Sequence, residues 1–117
     1  MKIIAAVIGM GIGTKHLEAI DGFAGSNVKI ICEKNKKKIK ILRKKYPNKL
    51  ITSNENDIFL DKQINLVSLA SYDNYHYSQI LKCFKYNKNI IVEKPMCLKP
   101  DQLKNIYKLI KLKKIKM

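Results

Sequence analysis

The sequence predicts an α/β fold, a doubly wound and mostly parallel sheet of about five strands with helices on both faces. Short apolar runs alternate five times with segments whose apolar residues recur every three or four positions. This alternation indicates β-α units joined by right-handed crossovers. The first apolar run ends in the glycine-rich turn Gly9-Met10-Gly11-Ile12-Gly13. The 117 residues are enough for one domain, spanning residues 1–117.

Each element in the first half has its own signal. The run from Lys2 to Ile8 is apolar after its lysine, which is typical of a central parallel strand covered on both faces. Leu17 and Ile20 lie three apart, on one face of the helix after the glycine turn. Asn35 precedes a lysine-covered apolar stripe and can cap the second helix. The predicted strands cover 2–8, 28–32, 50–52, 65–70 and 89–92, and the predicted helices 14–20, 36–46, 54–60, 74–86 and 100–111.

The second half of the chain carries further boundary signals. The segment 71–74 predicts a turn into the fourth helix, and Asn87 stands where a left-handed C-terminal cap is wanted, a conformation that asparagine tolerates. Pro100 suits the first position of the last helix. The lysine-heavy end, 112–117, is expected to fray.

The net charge of the chain is strongly positive, at +15. Nearly all positive residues are lysine, and Arg43 is the only arginine, whereas arginine is the usual residue for bidentate recognition of bases and phosphates. Lysine, isoleucine and asparagine are abundant together, as an AT-rich coding sequence would produce. We therefore interpret the charge as a solvated surface, with nucleic-acid binding as the less favoured interpretation.

Targeting and metal-binding signals are weak. Lys2 and the apolar run after it resemble a short signal peptide, but three glycines and the lack of a small-residue cleavage site favour a strand and a turn. No apolar run approaches the ~20 residues that a bilayer requires. Cys32, Cys83 and Cys97 have no metal-ligand spacing, and their odd number fits reduced thiols. These observations predict a cytoplasmic protein with no metal site and no membrane association.

Gly9, Gly11 and Gly13 predict a Rossmann-type turn, in which backbone N–H groups and a helix N-terminus face a pyrophosphate. Glu33 ends the second strand twenty positions after Gly13, where an acid can accept the hydroxyls of the adenosine ribose. The usual spacing places the third glycine at position 14, which is Thr14. Either Thr14 takes that place or the turn is one residue shorter and ends at Gly13, and we favour the shorter turn. A strand-to-helix turn without a ligand is the alternative.

Three segments together resemble the Gfo/Idh/MocA oxidoreductases. They are Gly13-Thr14-Lys15-His16, the turn from Ser71 to His76, and Asn87 to Pro95. The last contains Glu93-Lys94-Pro95, which is the most specific element. The resemblance covers the N-terminal nucleotide-binding domain of that family and nearly all of this chain.

The resemblance implies a nicotinamide cofactor across the C-terminal ends of the strands, and hydride transfer to or from a sugar, a cyclitol or a related alcohol. It implies that Glu93 contacts the nicotinamide end and that Lys94 is catalytic, because a lysine there can hydrogen-bond the reacting oxygen and assist proton transfer. The Lys94–Pro95 bond is expected to be cis. An ordinary strand exit with a surface ion pair is the alternative. The candidate cofactor-binding residues are Gly9, Gly11, Ile12, Gly13, Glu33, Ser71, Asp73, His76, Glu93 and Lys94.

Some positions depart from the family pattern. The turn after the fourth strand commonly reads Thr-Pro-Asn, and here Asp73 brings a negative charge close to the expected cofactor. His76 matches a family position, although a lone histidine is often a structural residue at a helix start. Glu33 favours NAD because a carboxylate repels a 2′-phosphate, but Lys34 and Lys36 could reach such a phosphate, so NADP stays an alternative.

Members of the family continue into a sixth strand and a second α/β domain that supplies most substrate contacts, and these 117 residues contain neither. The fifth strand is therefore expected at a sheet edge. We expect a cofactor-binding domain with weak or no turnover alone, as a truncated product or half of a split enzyme, with a partner chain or homo-oligomer as its completion. A non-catalytic nucleotide-binding or sensor module is the second hypothesis, and a lysine-rich nucleic-acid binder is the third.

Overall fold

A computed structural model describes residues 2–117 and gives five strands alternating with five helices. The apolar runs form the strands and the periodic segments form the helices, as predicted. The order along the chain is β1 (Ile3–Ile8), α1 (Gly13–Asp21), β2 (Ser26–Cys32), α2 (Lys36–Lys45), β3 (Leu50–Thr52), α3 (Asn56–Phe59), β4 (Leu66–Leu69), α4 (Asp73–Lys85), β5 (Asn89–Val92) and α5 (Pro100–Leu112).

The five strands form one sheet in the order β3-β2-β1-β4-β5, and every neighbouring pair is parallel. The chain adds strands outward from β1 in one direction and then crosses back to add β4 and β5 on the other side. This reversal opens a crevice at the carboxyl ends of β1 and β4, where such sheets bind ligands. The predicted fold class is confirmed, and β5 lies at a sheet edge as expected.

The sheet is buried on both faces because successive strand residues point to opposite sides. Ala5 and Val7 of β1 pack with α1 and α2, whereas Ala6 and Ile8 pack with α3, α4 and α5. Both layers are built from side chains that the helical spacing placed inward: Leu17, Ile20, Ile39, Leu42, Ile58, Phe59, Ile80 and Phe84. The two layers cover both faces of the sheet up to its carboxyl end, where the candidate site lies.

Several local predictions are confirmed. The Asn35 side chain accepts a hydrogen bond from the Lys38 N–H at 3.1 Å and caps α2. Asn87 has a φ of 57° after α4, and Pro100 begins α5. The Lys94–Pro95 peptide bond is cis.

The prediction that the lysine-heavy end frays is wrong. Ile115 is only 8% exposed and packs into the core layer of α4 and α5. The Ile90 N–H donates to the Lys116 carbonyl at 2.9 Å, and the Lys116 N–H donates to Asn89 Oδ1 at 2.9 Å. One apolar residue and two hydrogen bonds therefore fix residues 115 and 116 against β5, because burial and pairing outweigh the repulsion among exposed lysines.

Replacing Ile115 with alanine is expected to lower the free energy of unfolding by about 2 kcal/mol, because the change removes a buried side chain near the edge of the core. Urea unfolding followed by circular dichroism measures the loss. Replacing the exposed neighbour Lys114 with alanine is the control and leaves stability unchanged. Equal stability of the two variants would show that residue 115 is not docked.

The three cysteines differ in their exposure to solvent. Cys32 and Cys83 are buried, Cys97 is partly exposed, and none of the three is in a disulfide. Burial raises the pKa of both the Cys32 and Cys83 thiols to about 12, which keeps both in the thiol form at neutral pH.

Within residues 2–117 no helix combines the length and the apolar character needed to cross a membrane.

Candidate functional site

A cleft of about 480 Å³ lies at the carboxyl ends of β1, β2 and β4, in the crevice that the strand order creates. This volume falls in the range of small-molecule sites. Of the candidate residues, five line it: Gly9, Gly11, Ile12, Glu33 and Ser71. It is also lined by residues that the sequence did not single out as candidates, among them Asn54, Tyr75, Gln79 and Lys82.

The three glycines of the turn differ in what a side chain at each position would meet. Gly9 has a φ of +90°, and a Cβ there would lie 2.5 Å from the Ala70 carbonyl oxygen. A Cβ on Gly13 would lie 2.9 Å from Val7 Cγ1, so this glycine lets α1 pack closely on β1, which is the role of the third glycine. The preferred shorter turn ending at Gly13 is therefore supported over Thr14. A Cβ on Gly11 would have no atom within 4 Å.

The N-terminus of α1 is suited to an anion. The helix begins at Gly13 with Ile12 in the capping position, and no side chain caps it. The Thr14 and Lys15 N–H groups donate to the Gly11 and Ile12 carbonyls at 3.3 and 2.9 Å, so an anion would be held by the N–H groups before them and by the partial positive charge of the helix dipole. No acidic residue lies in the first turn of α1, and the Glu33 carboxylate approaches the glycine turn at Met10.

Glu33 is held at the end of β2, directly beside the glycine turn. Its Oε1 accepts a hydrogen bond from the Met10 N–H at 3.2 Å, and its Oε2 accepts one from the Asn35 N–H at 2.8 Å. A carboxylate has about four acceptor positions, so both oxygens can still accept bonds from ligand hydroxyls. Lys34 and Lys38 line the same cleft, and the Lys34 ammonium lies 4.3 Å from the centre of the Tyr75 ring.

The turn after β4 is fixed from behind. Ser71 Oγ donates to Gln79 Oε1 of α4 at 2.6 Å, while Asp73 is exposed at the start of α4. His76 is fully buried, and its ring nitrogens contact the Pro95 carbonyl at 2.7 Å and the Ser71 carbonyl at 2.9 Å. The His76 ring therefore joins the turn after β4 to the turn after β5, and both of its nitrogens are occupied by the protein.

The exit of β5 forms a second group of candidates. The Glu93 N–H donates to the Leu69 carbonyl at 2.9 Å, which extends the strand pairing by one residue, and Lys94 follows as an exposed side chain. Glu93 Oε1 accepts a hydrogen bond from His16 Nε2 at 2.8 Å. That bond is the largest cause lowering the pKa of the Glu93 carboxyl, and the backbone and charge of Lys94 lower it further.

His16 was not among the sequence-predicted site residues. Its ring also contacts Ser68 Oγ of β4, 2.5 Å from Nδ1, so it links α1, β4 and β5. The partners lie 52 and 77 positions away in the sequence, which is why spacing gave no sign of the contact. Gly13, Asp73, His76, Glu93 and Lys94 do not line the cleft. His76, Glu93 and Lys94 form a second group at the β5 exit, whereas Asp73 lies at the exposed start of α4.

These features fit a dinucleotide. Gly11 faces open space where the protein places no atom, so the close approach of a ligand explains why a side chain is missing there. The uncapped helix end can receive a pyrophosphate, and Glu33 lies one strand away, where the adenosine ribose of a dinucleotide extends. No group of three or more residues in 2–117 could hold a metal ion.

Solved structures share this fold. Levoglucosan dehydrogenase in complex with NADH superposes with a TM-score of 0.84 at 24% identity, over 98% of this chain and 33% of that chain. GenD2 from gentamicin A biosynthesis in complex with NAD gives a TM-score of 0.89 at 16% identity, over 97% and 33%. Myo-inositol 2-dehydrogenase from Lactobacillus plantarum gives 0.84 at 18% identity, over 96% and 34%. The chain thus spans about a third of the length of these proteins.

The family comparison covers nearly the whole chain. Residues 3–117 match the family model described as the oxidoreductase family, NAD-binding Rossmann fold. The match includes the glycine turn, Glu33 and the Glu93-Lys94-Pro95 exit of β5. This chain belongs to the Gfo/Idh/MocA oxidoreductase family, as its NAD-binding Rossmann domain.

Proposed function

We propose that this chain holds NAD for a dehydrogenase that transfers hydride between the nicotinamide and a sugar, a cyclitol or a related alcohol. The observation that carries the cofactor assignment is Gly11, whose missing side chain faces open space above the N-terminus of α1. The substrate class is supported by the similar structures, which include levoglucosan and myo-inositol dehydrogenases.

Each candidate residue has a role in this proposal. The backbone N–H groups of Gly11 and Ile12 bind the pyrophosphate, and Gly13 lets α1 approach close enough to do so. Gly9 shapes the turn, because its own N–H donates to the Cys32 carbonyl at 2.9 Å. Glu33 accepts the adenosine ribose hydroxyls with the two oxygens that Met10 and Asn35 hold in place. Other candidates act along the turn after β4: Ser71 lines the cleft, Asp73 brings an exposed negative charge to the start of α4, and His76 keeps this turn next to the β5 exit.

The β5 exit would serve the reacting end. The cofactor, when bound, supplies the hydride acceptor or donor. The exposed ammonium of Lys94 can donate a hydrogen bond to the substrate oxygen and take part in its proton transfer. Glu93 contributes a fixed negative charge beside it. Both residues come from one strand end, which keeps them together.

Glu33 also sets the proposed preference for NAD over NADP. Its carboxylate lies where a 2′-phosphate would come, and like charges repel. Lys34 and Lys38 line the same cleft and reduce that repulsion, so we propose only a small preference for NAD over NADP.

Three cysteines outside disulfides fit a reducing compartment, and we place the protein in the cytoplasm.

Calorimetric titration at moderate salt tests the cofactor assignment. We expect saturable binding of NAD that exceeds the binding of NADP. Glu33→Gln lowers NAD affinity by about 10-fold and narrows the gap to NADP, because the charged acceptor is lost. Glu18→Gln removes a carboxylate from the exposed side of α1 and serves as the control. Binding to DNA that falls steeply with salt, without NAD binding, would overturn the assignment.

We also propose that these 117 residues alone turn over substrate slowly or not at all, because they span about a third of the length of the similar dehydrogenases. A second domain, in the same chain or in a partner, would complete the site. Absorbance of NADH in the presence of polyols tests this. NADH formation by the pure chain at rates typical of enzymes would contradict it.

A further inference from the structure

A hydrogen-bond network of three side chains, His16, Ser68 and Glu93, lies outside the cleft and joins α1, β4 and β5. The His16 ring reaches from α1 to Ser68 Oγ at the centre of β4 and to Glu93 Oε1 at the end of β5. Ser68 is fully buried, and the His16 side chain is only 16% exposed. The Glu93 side chain keeps 32% of its surface exposed, so the chain of bonds ends in a carboxylate that faces the solvent side of the β5 exit.

The chemistry of the three groups fixes the direction of the hydrogen bonds. An ionised carboxylate only accepts, so His16 Nε2–H donates to Glu93. In a neutral ring Nδ1 is then an acceptor, and the Ser68 hydroxyl donates to it. Both nitrogens of the His16 ring and the Ser68 hydroxyl are hydrogen-bonded in this arrangement, so the His16 ring has one preferred orientation.

This order of Ser, His and Glu resembles that of a hydrolytic triad, but it cannot act as one. The Ser68 hydroxyl is fully buried in the middle of a strand, so no substrate carbonyl can approach it. The exposed end of the hydrogen-bond network is the Glu93 carboxylate, not the Ser68 hydroxyl. Ser68 and His16 therefore do not react themselves. They hold the Glu93 carboxylate in position.

The groups that bear on the Glu93 carboxylate are the His16 ring, from α1, and the Lys94 ammonium, from its own strand end. Both lower the pKa of Glu93, as does the backbone N–H of Lys94. The carboxylate is thus ionised across the neutral range and cannot rotate freely, because His16 holds one of its oxygens. A fixed anion at this position discriminates between neutral and cationic ligands.

We propose that His16 and Ser68 are positioning residues that hold the Glu93 carboxylate against the oxidised nicotinamide, and so raise the affinity for NAD⁺ relative to NADH. The oxidised ring carries a positive charge and the reduced ring carries none, so a fixed carboxylate favours the first and is indifferent to the second. The protein's preference between the two forms of the cofactor equals the difference in its interaction free energy with them. The inference rests on the proposed function, since it requires the nicotinamide to lie at the β5 exit.

The test is the ratio of the two dissociation constants, measured separately for NAD⁺ and NADH by calorimetry or fluorescence. Glu93→Gln is expected to weaken NAD⁺ binding about 5- to 10-fold and to leave NADH within about twofold, because it removes the charge but keeps the shape. His16→Phe shifts the ratio in the same direction by freeing the carboxylate. His16→Gln, which retains a donor and an acceptor, restores part of the ratio.

Glu18→Gln is the matched control, because it makes the same chemical change on the exposed face of α1 and leaves the ratio unchanged. Circular dichroism checks that each variant is folded. If Glu93→Gln and His16→Phe weaken both forms equally, or neither, the positioning role is overturned while cofactor binding stands. A wild-type chain that binds neither form overturns this inference together with the proposed function.

Discussion

Replacing Gly11 with valine is expected to lower NAD affinity by at least about 100-fold while the domain stays folded. No protein atom lies within 4 Å of the position where the new Cβ would stand, and Gly11 does not have a left-handed backbone. The fold therefore tolerates the side chain. The space that it fills is the space above the N-terminus of α1, where the pyrophosphate is proposed to bind.

Calorimetry with NAD measures the loss, and thermal unfolding confirms that the variant is folded. Ala24→Val adds comparable bulk at an exposed loop position away from the cleft and keeps the affinity of the wild type. Unchanged NAD binding by Gly11→Val would mean that the pyrophosphate lies elsewhere and that the glycine turn has no part in cofactor binding.

Gly9→Ala, two positions earlier, is expected to have the opposite consequence and to destabilise the whole domain by about 2 to 6 kcal/mol. The φ of Gly9 is +90°, which strains any residue with a side chain, and the new Cβ would lie 2.5 Å from the Ala70 carbonyl oxygen. That oxygen belongs to the backbone at the end of β4 and cannot move without disturbing the sheet. Much of the stability of a typical domain would be lost.

Thermal and urea unfolding of Gly9→Ala measure this loss. The expected fall in melting temperature is at least about 10 °C for a domain of this size. Gly11→Ala is the control, since the same substitution in the same turn meets no atom and leaves stability unchanged. A Gly9→Ala variant as stable as this control would show that the turn after β1 is more open than the structure describes.

The fold could be predicted from the sequence because its signals are local. Alternating apolar runs, the Asn35 cap and the left-handed Asn87 each depend on a few neighbouring residues. The glycine spacing was ambiguous between Gly13 and Thr14, and the close contact between Gly13 and Val7 resolves it. Tertiary packing was needed for that distinction, since no spacing rule measures the distance between a helix and a strand.

The parts of the site that sequence analysis missed depend on distant contacts. His16 was noticed only as a motif residue, because its partners Ser68 and Glu93 become neighbours only when the sheet forms. The burial of His76 between two carbonyl oxygens has the same origin. The prediction that the lysine-rich end frays was wrong because it rested on charge alone. Ile115 packs into the core and Lys116 hydrogen-bonds to β5, and these contacts exist only in the folded sheet.

The docked residues 115 and 116 also bear on aggregation. The edge of a sheet presents N–H and C=O groups that can pair with another molecule, and such pairing leads to intermolecular sheets. The β3 edge limits this hazard by being only three residues long. At the opposite edge the Ile90 N–H is already occupied by the Lys116 carbonyl, and the docked end carries the exposed lysines Lys113, Lys114 and Lys116. The strong positive charge of the chain thus acts at this edge as a barrier against self-association.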